Sequence, residues 1–284
     1  MYLAAGDGTK HGSNGLKGWT MSFLHNLTCR RCFNRTFAAS LVAAPFAAMG
    51  GRNARAADKP LTPVPGRPKS MRSNVLDTAA DTLQVKKPID AMSEYLNGFH
   101  FYADDMGRQV EANHFCTHLT EDFHQCVIYE ANQKNAKLIG IEYIVSERIF
   151  KTLPEDEKKL WHSHHYEVKS GMLVAPGVPD IGEHAFMTDL VTTYGKTWHT
   201  WQIDRDHDFP FGIPQLMMGF TKDGQVRQSL LDDRDRRFGI STASEQKNRA
   251  DIPTPHVVAG ANAWQDGMTM QLQLVDMPVR NIPG

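Results

Sequence analysis

The middle of the chain carries short runs of apolar and β-branched residues that are typical of strands. Residues 126–129 and 138–145 have this composition, and the polar stretch 132–137 between them has the length of a turn. Three further runs show a strand pattern: residues 166–174, 198–203 and 215–220. Short strands joined by polar turns favour antiparallel pairing.

Other segments repeat their apolar residues at helical spacing. The clearest begins at Pro88, a favoured first-turn residue, and carries Ile89, Met92, Leu96 and Phe99 on one stripe. Ser146 has the side chain of a helix N-cap. The remaining helical patterns lie at residues 76–83, 153–161, 184–194 and 227–238. This mixture predicts a single α+β domain over residues 88–284, with a mainly antiparallel sheet and packed helices.

The N-terminal residues have the pattern of an export leader. Arg30 and Arg31 form a twin-arginine pair, and residues 36–48 are apolar but too few to span a bilayer. Residues 54–56, Ala-Arg-Ala, match a small-residue cleavage site. We therefore predict a twin-arginine-type signal peptide over residues 1–56.

This leader sets the expected location and the next boundary. The twin-arginine export machinery is the predicted partner of the precursor, and Met21 is an alternative start. The mature chain is expected to begin near Ala57 and to be periplasmic or secreted in a bacterium. Residues 57–87 are predicted to be a linker and a weak helix, with the proline-rich part, residues 57–70, poorly ordered.

The charge balance excludes one class of partner. Residues 1–56 hold seven of the 31 lysines and arginines and one of the 32 acidic residues, so residues 57–284 carry a net charge near −7. A protein that binds the phosphate backbone needs a basic face, so no nucleic acid is expected as a partner. No apolar run after the leader approaches the length of a transmembrane helix, so no transmembrane segment is expected.

Seven of the thirteen histidines lie between residues 98 and 167. Imidazole is a frequent ligand of transition metals, and it titrates near neutral pH. Most of these histidines fall in two clusters, which span residues 114–126 and 161–167. The candidate chemistry of this chain is therefore expected here.

The first cluster has the spacing of a hairpin. A turn at residues 120–122 would place His118 opposite His124 and Cys116 opposite Cys126. Two interpretations are open at this point. The cysteines bind a metal together with the histidines, or they form a disulfide and leave the histidines as ordinary polar residues.

The second cluster alternates histidines in a similar way. In a strand, His162 and His164 would share one face while Glu167 would lie on the other. A solvated group of surface histidines is the alternative. Glu142 interrupts an otherwise apolar strand, which is typical either of an exposed face or of a buried carboxylate, and we favour the buried carboxylate.

We expect the two clusters to meet at one end of the sheet, because the strand pair 126–129 and 138–145 separates them in sequence. The resulting pocket is predicted to bind a divalent transition metal such as zinc, copper or iron. Glu142 and Glu167 are the predicted catalytic residues, which orient an imidazole or move a proton. The predicted metal ligands are His100, His114, His118, His162 and His164.

Several long motifs resemble those of one known family. They include residues 98–102 (GFHFY), 139–145 (IGIEYIV), 153–159 (LPEDEKK) and 160–171 (LWHSHHYEVKSG). By these motifs, about two thirds of the chain resembles the oil-body-associated proteins, a family of plants, fungi and bacteria without assigned catalytic residues. The resemblance implies membership of the family and no particular reaction.

Two classes of function follow from the sequence. The first is a metal-dependent enzyme or a metal carrier that uses the histidine clusters. The second is a non-enzymatic module that binds lipid or a partner protein and is stapled by a Cys116–Cys126 disulfide. For the second, the apolar loop at residues 209–214 would supply peripheral contact with lipid.

Overall fold

A closed antiparallel sheet forms the centre of the molecule. The computed structural model describes residues 58–280 except residues 60, 62, 63, 206 and 207, so the predicted leader lies outside the described residues. The strands run in the order β4-β3-β2-β1-β7-β6-β5, and β4 also pairs with β6, so six strands close a barrel and β5 is added to β6. The strands of this part of the chain are β1 (Glu94–Tyr102), β2 (Asp105–Thr120), β3 (Phe123–Tyr129), β4 (Leu138–Ser146), β5 (His162–Ser163), β6 (Thr193–His199) and β7 (Gln215–Met218).

Several helices connect the strands of this barrel or pack on its outside, whereas the helix Met71–Leu83 buries none of its residues. The predicted class, an α+β domain with a mainly antiparallel sheet, is confirmed, whereas the sequence does not predict that the sheet closes. None of the helices in the described part of the chain has the length and apolar character that a bilayer-spanning helix requires. The helices are α1 (Met71–Leu83), α2 (Lys87–Asp90), α3 (Glu147–Phe150), α4 (Glu155–Lys158), α5 (His165–Lys169), α6 (Asp180–Leu190), α7 (Gln228–Phe238) and α8 (Thr242–Asn248), with a 3-10 turn at Ala263–Asp266.

The β2–β3 hairpin has the register that the sequence predicts. Cys116 lies opposite Cys126, and His118 lies opposite His124. The two cysteines form a disulfide, which decides between the two interpretations of this pair. Both sulfur atoms are therefore unavailable as metal ligands.

The two faces of β1 show how the core is divided. Phe99 and Phe101 belong to an apolar cluster with Leu216, Met218 and Leu231 of α7, outside the barrel. The alternate side chain Tyr102 packs inside the barrel. Its neighbours there, which close one end of the interior, are Val110, Ala112, Ile128, Ile139 and Met217.

One stretch of the barrel wall is not made by a regular strand. On β6, Thr197 pairs with β7, but Gly195 pairs with β5. On β1, Phe101 pairs with β7, whereas Asn97 pairs with Val174 in an isolated bridge. Residues 162–174, here called the wall segment, therefore fill the space between β1 and β6 where β7 ends.

Two predicted elements are wrong, one beside the wall segment and the other within it. Residues 94–99 form strand β1 instead of a helix that starts at Pro88, and the helix there is the four-residue α2. Residues 98–102 of β1 are buried on both faces, so polar and apolar residues do not alternate along the strand. The spacing of its apolar residues then resembles that of one face of a helix. Residues 165–169 form α5 instead of a strand, because the wall segment turns inward there.

We expect the Cys116–Cys126 disulfide to stabilise the fold mainly by restricting the unfolded chain. Replacing both cysteines by serine should lower the free energy of unfolding by about 2–3 kcal/mol, since the bridge closes a loop with a sequence separation of 10. Urea unfolding measures this change. The wild-type protein under reducing conditions is the control and should match the double variant, and equal stability of oxidised wild type and variant would contradict the expectation.

Candidate metal centre

A single carboxylate, Glu142, is surrounded by imidazoles inside the barrel. Glu142 Oε2 lies 2.7 Å from His114 Nε2 and 3.6 Å from His100 Nε2. Glu142 Oε1 lies 3.2 Å from His164 Nε2 and 3.5 Å from His162 Nε2. All five side chains are buried. Four ring nitrogens thus face one carboxylate that has no access to water.

Two parts of the fold supply these groups. Strands β1, β2 and β4 contribute side chains from the barrel, and the wall segment contributes side chains from the opposite side. The wall segment also brings Glu167, whose Oε2 atom lies 4.0 Å from His162 Nε2. The residues from the barrel are His100, His114 and Glu142, and those from the wall segment are His162, His164 and Glu167.

The hydrogen bonds of His164 determine which of its ring nitrogens carries the proton. The Thr193 hydroxyl donates to the carbonyl of Leu190 at 2.7 Å, so it can only accept from His164 Nδ1, which is 2.7 Å away. Nδ1 therefore carries the hydrogen, and in the neutral ring Nε2 is a bare acceptor. This acceptor points at Glu142 Oε1, another acceptor. Such a contact requires a proton or a metal cation between the two atoms.

Glycine provides the space for this arrangement. A Cβ atom on Gly195 would overlap Glu142 Oε1 and lie 2.9 Å from His162 Nε2. A Cβ atom on Gly219 would lie 2.9 Å from Glu167 Oε2. Both distances are shorter than real Cβ contacts allow, so β6 and the end of β7 need glycine at these positions.

Several buried polar atoms at the centre lack a hydrogen bond of normal geometry. They include both ring nitrogens of His114 and of His162, together with His199 Nδ1 and Thr197 Oγ1. The 2.7 Å approach of His114 Nε2 to Glu142 is short but poorly aligned. A cavity of about 10 Å³ adjoins these groups, which is room for one water molecule or one ion. Buried polar atoms without partners are rare in native proteins, so these atoms are a distinctive feature of the centre.

The two carboxyl groups differ in their electrostatics. Burial alone would raise the pKa of Glu142, but His114 and His164 outweigh it when their rings are protonated, so this pKa lies well below its usual value. For Glu167, burial and the neighbouring charge of Glu142 both raise the pKa far above its usual value. These surroundings therefore favour the ionised form of Glu142 and the protonated form of Glu167.

The wall segment is fixed by two buried arginines. Arg249 Nη1 donates to the carbonyls of Val168 and Leu173, both at 2.8 Å. Arg234 Nη1 donates to the carbonyl of Met172 at 2.8 Å. These two guanidinium groups therefore hold α5, and with it Glu167, in the space between β1 and β6 where β7 ends.

The structure brings together most of the residues that the sequence predicts for this site. The side chains that meet are His100, His114, His162, His164, Glu142 and Glu167. Among them Glu142 is the central group instead of a peripheral acid or base.

His118 does not join this centre. Its ring stacks on His124 and faces Glu94, at the far end of the β2–β3 hairpin. His118 shares a strand face with His114, but the Cys116–Cys126 disulfide fills the interior between them. A shared face therefore does not bring these two imidazoles into one site.

His199 belongs to the centre and is missing from the prediction. Its Nε2 atom lies 3.3 Å from His100 Nδ1, so it can orient the His100 ring from behind. The predicted strand at residues 198–203 begins too late, because β6 covers Thr193–His199. With the correct bounds, the alternation of Gly195, Thr197 and His199 would place this histidine on the inner face.

The sequence profile described as "Protein of unknown function (DUF1264)" matches residues 86–253, more than half of the chain. The chain belongs to the DUF1264 family. The predicted resemblance to oil-body-associated proteins is thereby confirmed, because the similar curated proteins carry that name.

Two plant relatives align with this chain over nearly their whole length. Oil body-associated protein 1A of Zea mays is 46% identical over 223 residues, which is 78% of this chain and 94% of the relative. Oil body-associated protein 1B of Arabidopsis thaliana is 45% identical over 222 residues, 77% of this chain and 92% of the relative. No solved structure gives a significant match to this chain.

The predicted periplasmic or secreted location is wrong. The relatives are proteins of Zea mays and Arabidopsis thaliana that are named for their association with oil bodies, not for export from bacteria. A pair of arginines, a short apolar run and an Ala-x-Ala triplet are brief patterns that also arise without a targeting role. The predicted leader, residues 1–56, gains no support from the family.

We expect Gly195→Ala to disturb the centre. The new methyl group must displace the Glu142 carboxylate or separate β6 from its neighbours, and overpacking of this kind lowers the free energy of unfolding by about 1–3 kcal/mol. Gly182→Ala is the matched control, because Gly182 lies in helix α6, where alanine is favoured. Urea unfolding compares the two variants, and equal stability would contradict the expected overlap.

The buried histidines should make the metal-free protein sensitive to acid. Burial lowers the pKa of both His162 and His199 to about 3, whereas an unfolded histidine takes up its proton near pH 6.5. Between these values the unfolded chain binds more protons, so stability should fall with decreasing pH, by at most about 1.4 kcal/mol per pH unit for each histidine.

A variant at His199 separates the contribution of this histidine to the pH dependence of stability from the contributions of other titrating groups. The raised pKa of Glu167 acts in the opposite direction, because its stabilising contribution is lost as the pH rises. The change in the free energy of unfolding with pH is therefore compared between wild type and His199→Gln. Urea unfolding of chelator-treated protein from pH 7 to pH 4 measures it. A shallower slope is expected for the variant, and identical slopes would rule out the contribution of His199.

Proposed function

We propose that this protein binds a divalent transition metal ion inside its barrel, between Glu142 and the surrounding imidazoles. The observation that carries the proposal is the contact between His164 Nε2 and Glu142 Oε1. Because Thr193 fixes the hydrogen on Nδ1, two acceptors face each other at 3.2 Å. A cation between them removes the repulsion and also supplies a partner for the orphaned nitrogens of His114 and His162.

The spacing of the groups supports a metal ion as this cation. Bonds of about 2.0–2.1 Å in a tetrahedral site hold neighbouring ligand atoms about 3.3 Å apart. The four distances from imidazole nitrogens to Glu142, 2.7–3.6 Å, lie around this value. His162 also has ligand atoms near those of His164 and Glu167, all within 4.8 Å of one another. A small shift of side chains would complete a coordination shell.

The protonation states also suit a metal. Metal ions bind neutral imidazole and ionised carboxylate. Burial lowers the pKa of His100 and His162, which favours their neutral form, and the low pKa of Glu142 favours its ionised form. Histidine and carboxylate donors suit zinc, copper and ferrous iron. A bound dication would also favour loss of the proton from Glu167, which would then act as a further ligand or as a proton acceptor.

The cavity favours metal binding over turnover of a large substrate. A catalytic metal keeps an open position next to a pocket that fits its substrate. Here the cavity beside Glu142 has a volume of about 10 Å³. We therefore assign Glu142 as a ligand and Glu167 as the proton-holding group of a site that carries a metal, and any reactant at this site would be no larger than water or dioxygen.

The alternative function, a binding module stapled by a disulfide, is not favoured. The disulfide exists, but it closes the interior of the barrel and presents no binding surface by itself. Lipid contact through residues 209–214 stays a prediction, and Phe209 and Phe211 are exposed in this loop.

The test is metal analysis of the protein and of a ligand variant. Glu142→Gln keeps the shape of the side chain but removes the charge, so it should bind zinc, copper or iron at least about tenfold more weakly than wild type. His184→Ala is the control, because His184 is a surface histidine paired with Asp251 at 2.9 Å. Equilibrium dialysis followed by elemental analysis measures the bound metal.

The same variants give a second readout. Metal should raise the melting temperature of wild type and of His184→Ala by more than that of Glu142→Gln, because only the folded barrel forms the site at Glu142. Equal metal content and equal thermal shifts in Glu142→Gln and His184→Ala would refute the proposal.

A further inference from the structure

A second group of histidine and carboxylate side chains lies at the far end of the β2–β3 hairpin. His124 Nδ1 is 3.0 Å from Glu94 Oε2, and His118 Nδ1 is 3.8 Å from Glu94 Oε1. The two imidazole rings are stacked, with centroids 4.0 Å apart and planes 6° from parallel. We propose that these three residues, here called the surface cluster, form a second site for a divalent transition metal, separate from the barrel centre.

The distances fit a metal better than a simple ion pair. Ligand atoms of the three side chains lie within 4.8 Å of one another. The separations of 3.0 and 3.8 Å lie on either side of the roughly 3.3 Å between neighbouring ligands of a tetrahedral site. At 3.8 Å, His118 is too far from Glu94 for a hydrogen bond, so the carboxylate alone does not explain why this ring turns its Nδ1 atom inward.

The sheet and the disulfide hold the cluster together before any metal binds. Glu94 lies opposite Cys116 on β1 and β2, and Cys116 is bonded to Cys126 on β3. His118 and His124 are the next pair on the same side of the hairpin. The disulfide thus joins the strands next to the three ligands and lowers the loss of conformational freedom on binding.

The two rings have to tilt to share one ion, because parallel rings direct their lone pairs side by side. The side chain of His118 is 39% exposed, so it is free to tilt, while those of His124 and Glu94 are 12% and 14% exposed. Solvent can then occupy the remaining coordination positions. Three protein ligands with open positions are typical of an accessible, exchangeable metal site.

The surface cluster is too far from the barrel centre to share its ion. His114 and His118 are four residues apart on one strand, which corresponds to about 13 Å. The disulfide and Ile144 pack between them. The proposal for the surface cluster therefore does not depend on metal binding at Glu142.

Counting bound metal in matched variants tests the proposal. Full-length wild type, the double variant His118→Ala/His124→Ala and the control His184→Ala are dialysed against zinc, and the bound equivalents are measured by elemental analysis. We expect the double variant to bind one equivalent fewer than the control. With copper(II), electron paramagnetic resonance should lose the signal of one nitrogen-coordinated species in the double variant only.

Glu94→Gln keeps both imidazoles. It therefore tests the site without the risk that the two histidine substitutions disturb the β2–β3 hairpin. It should retain the equivalent but bind it about tenfold more weakly, as measured by competition with a chromogenic chelator. Glu142→Gln should leave the surface equivalent unchanged, so failure at the barrel centre is distinguished from failure here. If the double variant and His184→Ala bind the same number of equivalents, the surface cluster is not a metal site.

Discussion

A carboxylate buried inside a barrel has to be neutralised by the groups around it, and most features of this structure follow from that requirement. Transfer of an isolated charge such as that of Glu142 from water into a protein interior costs several kcal/mol even after relaxation. On our proposal, a cation shared between Glu142 and the four imidazoles around it offsets this cost. These imidazoles can approach only because Gly195 and Gly219 carry no side chain beside them.

The same requirement explains the irregular wall. If a regular strand continued β7 between β1 and β6, it would direct only alternate side chains inward. The wall segment instead changes from β5 to α5 and thereby places His162, His164 and Glu167 at one point. A chain that leaves the sheet loses ladder hydrogen bonds, and the buried guanidinium groups of Arg234 and Arg249 replace them at its carbonyls.

The sequence predicts those parts of the site in which local pattern and fold agree. The pairing of His118 with His124 follows from the period of a hairpin, and the meeting of the two histidine clusters follows from the strand pair between them. Strand β1 cannot be recognised in the sequence because it is buried on both faces and so lacks the alternation of polar and apolar residues. The partners of the wall segment, Arg234 and Arg249, are distant in sequence, and nothing in a local pattern predicts such contacts.

Histidines on one strand face can have different chemistry because the disulfide divides the interior. On the inner side, His114 lies with Glu142 beside a cavity of about 10 Å³, so on our proposal an ion would reach it only if the wall segment moves or before the barrel closes. On the outer side, His118 reaches solvent. On our two proposals, the inner site would retain its metal and the surface cluster would exchange it, although both use the same two kinds of side chain.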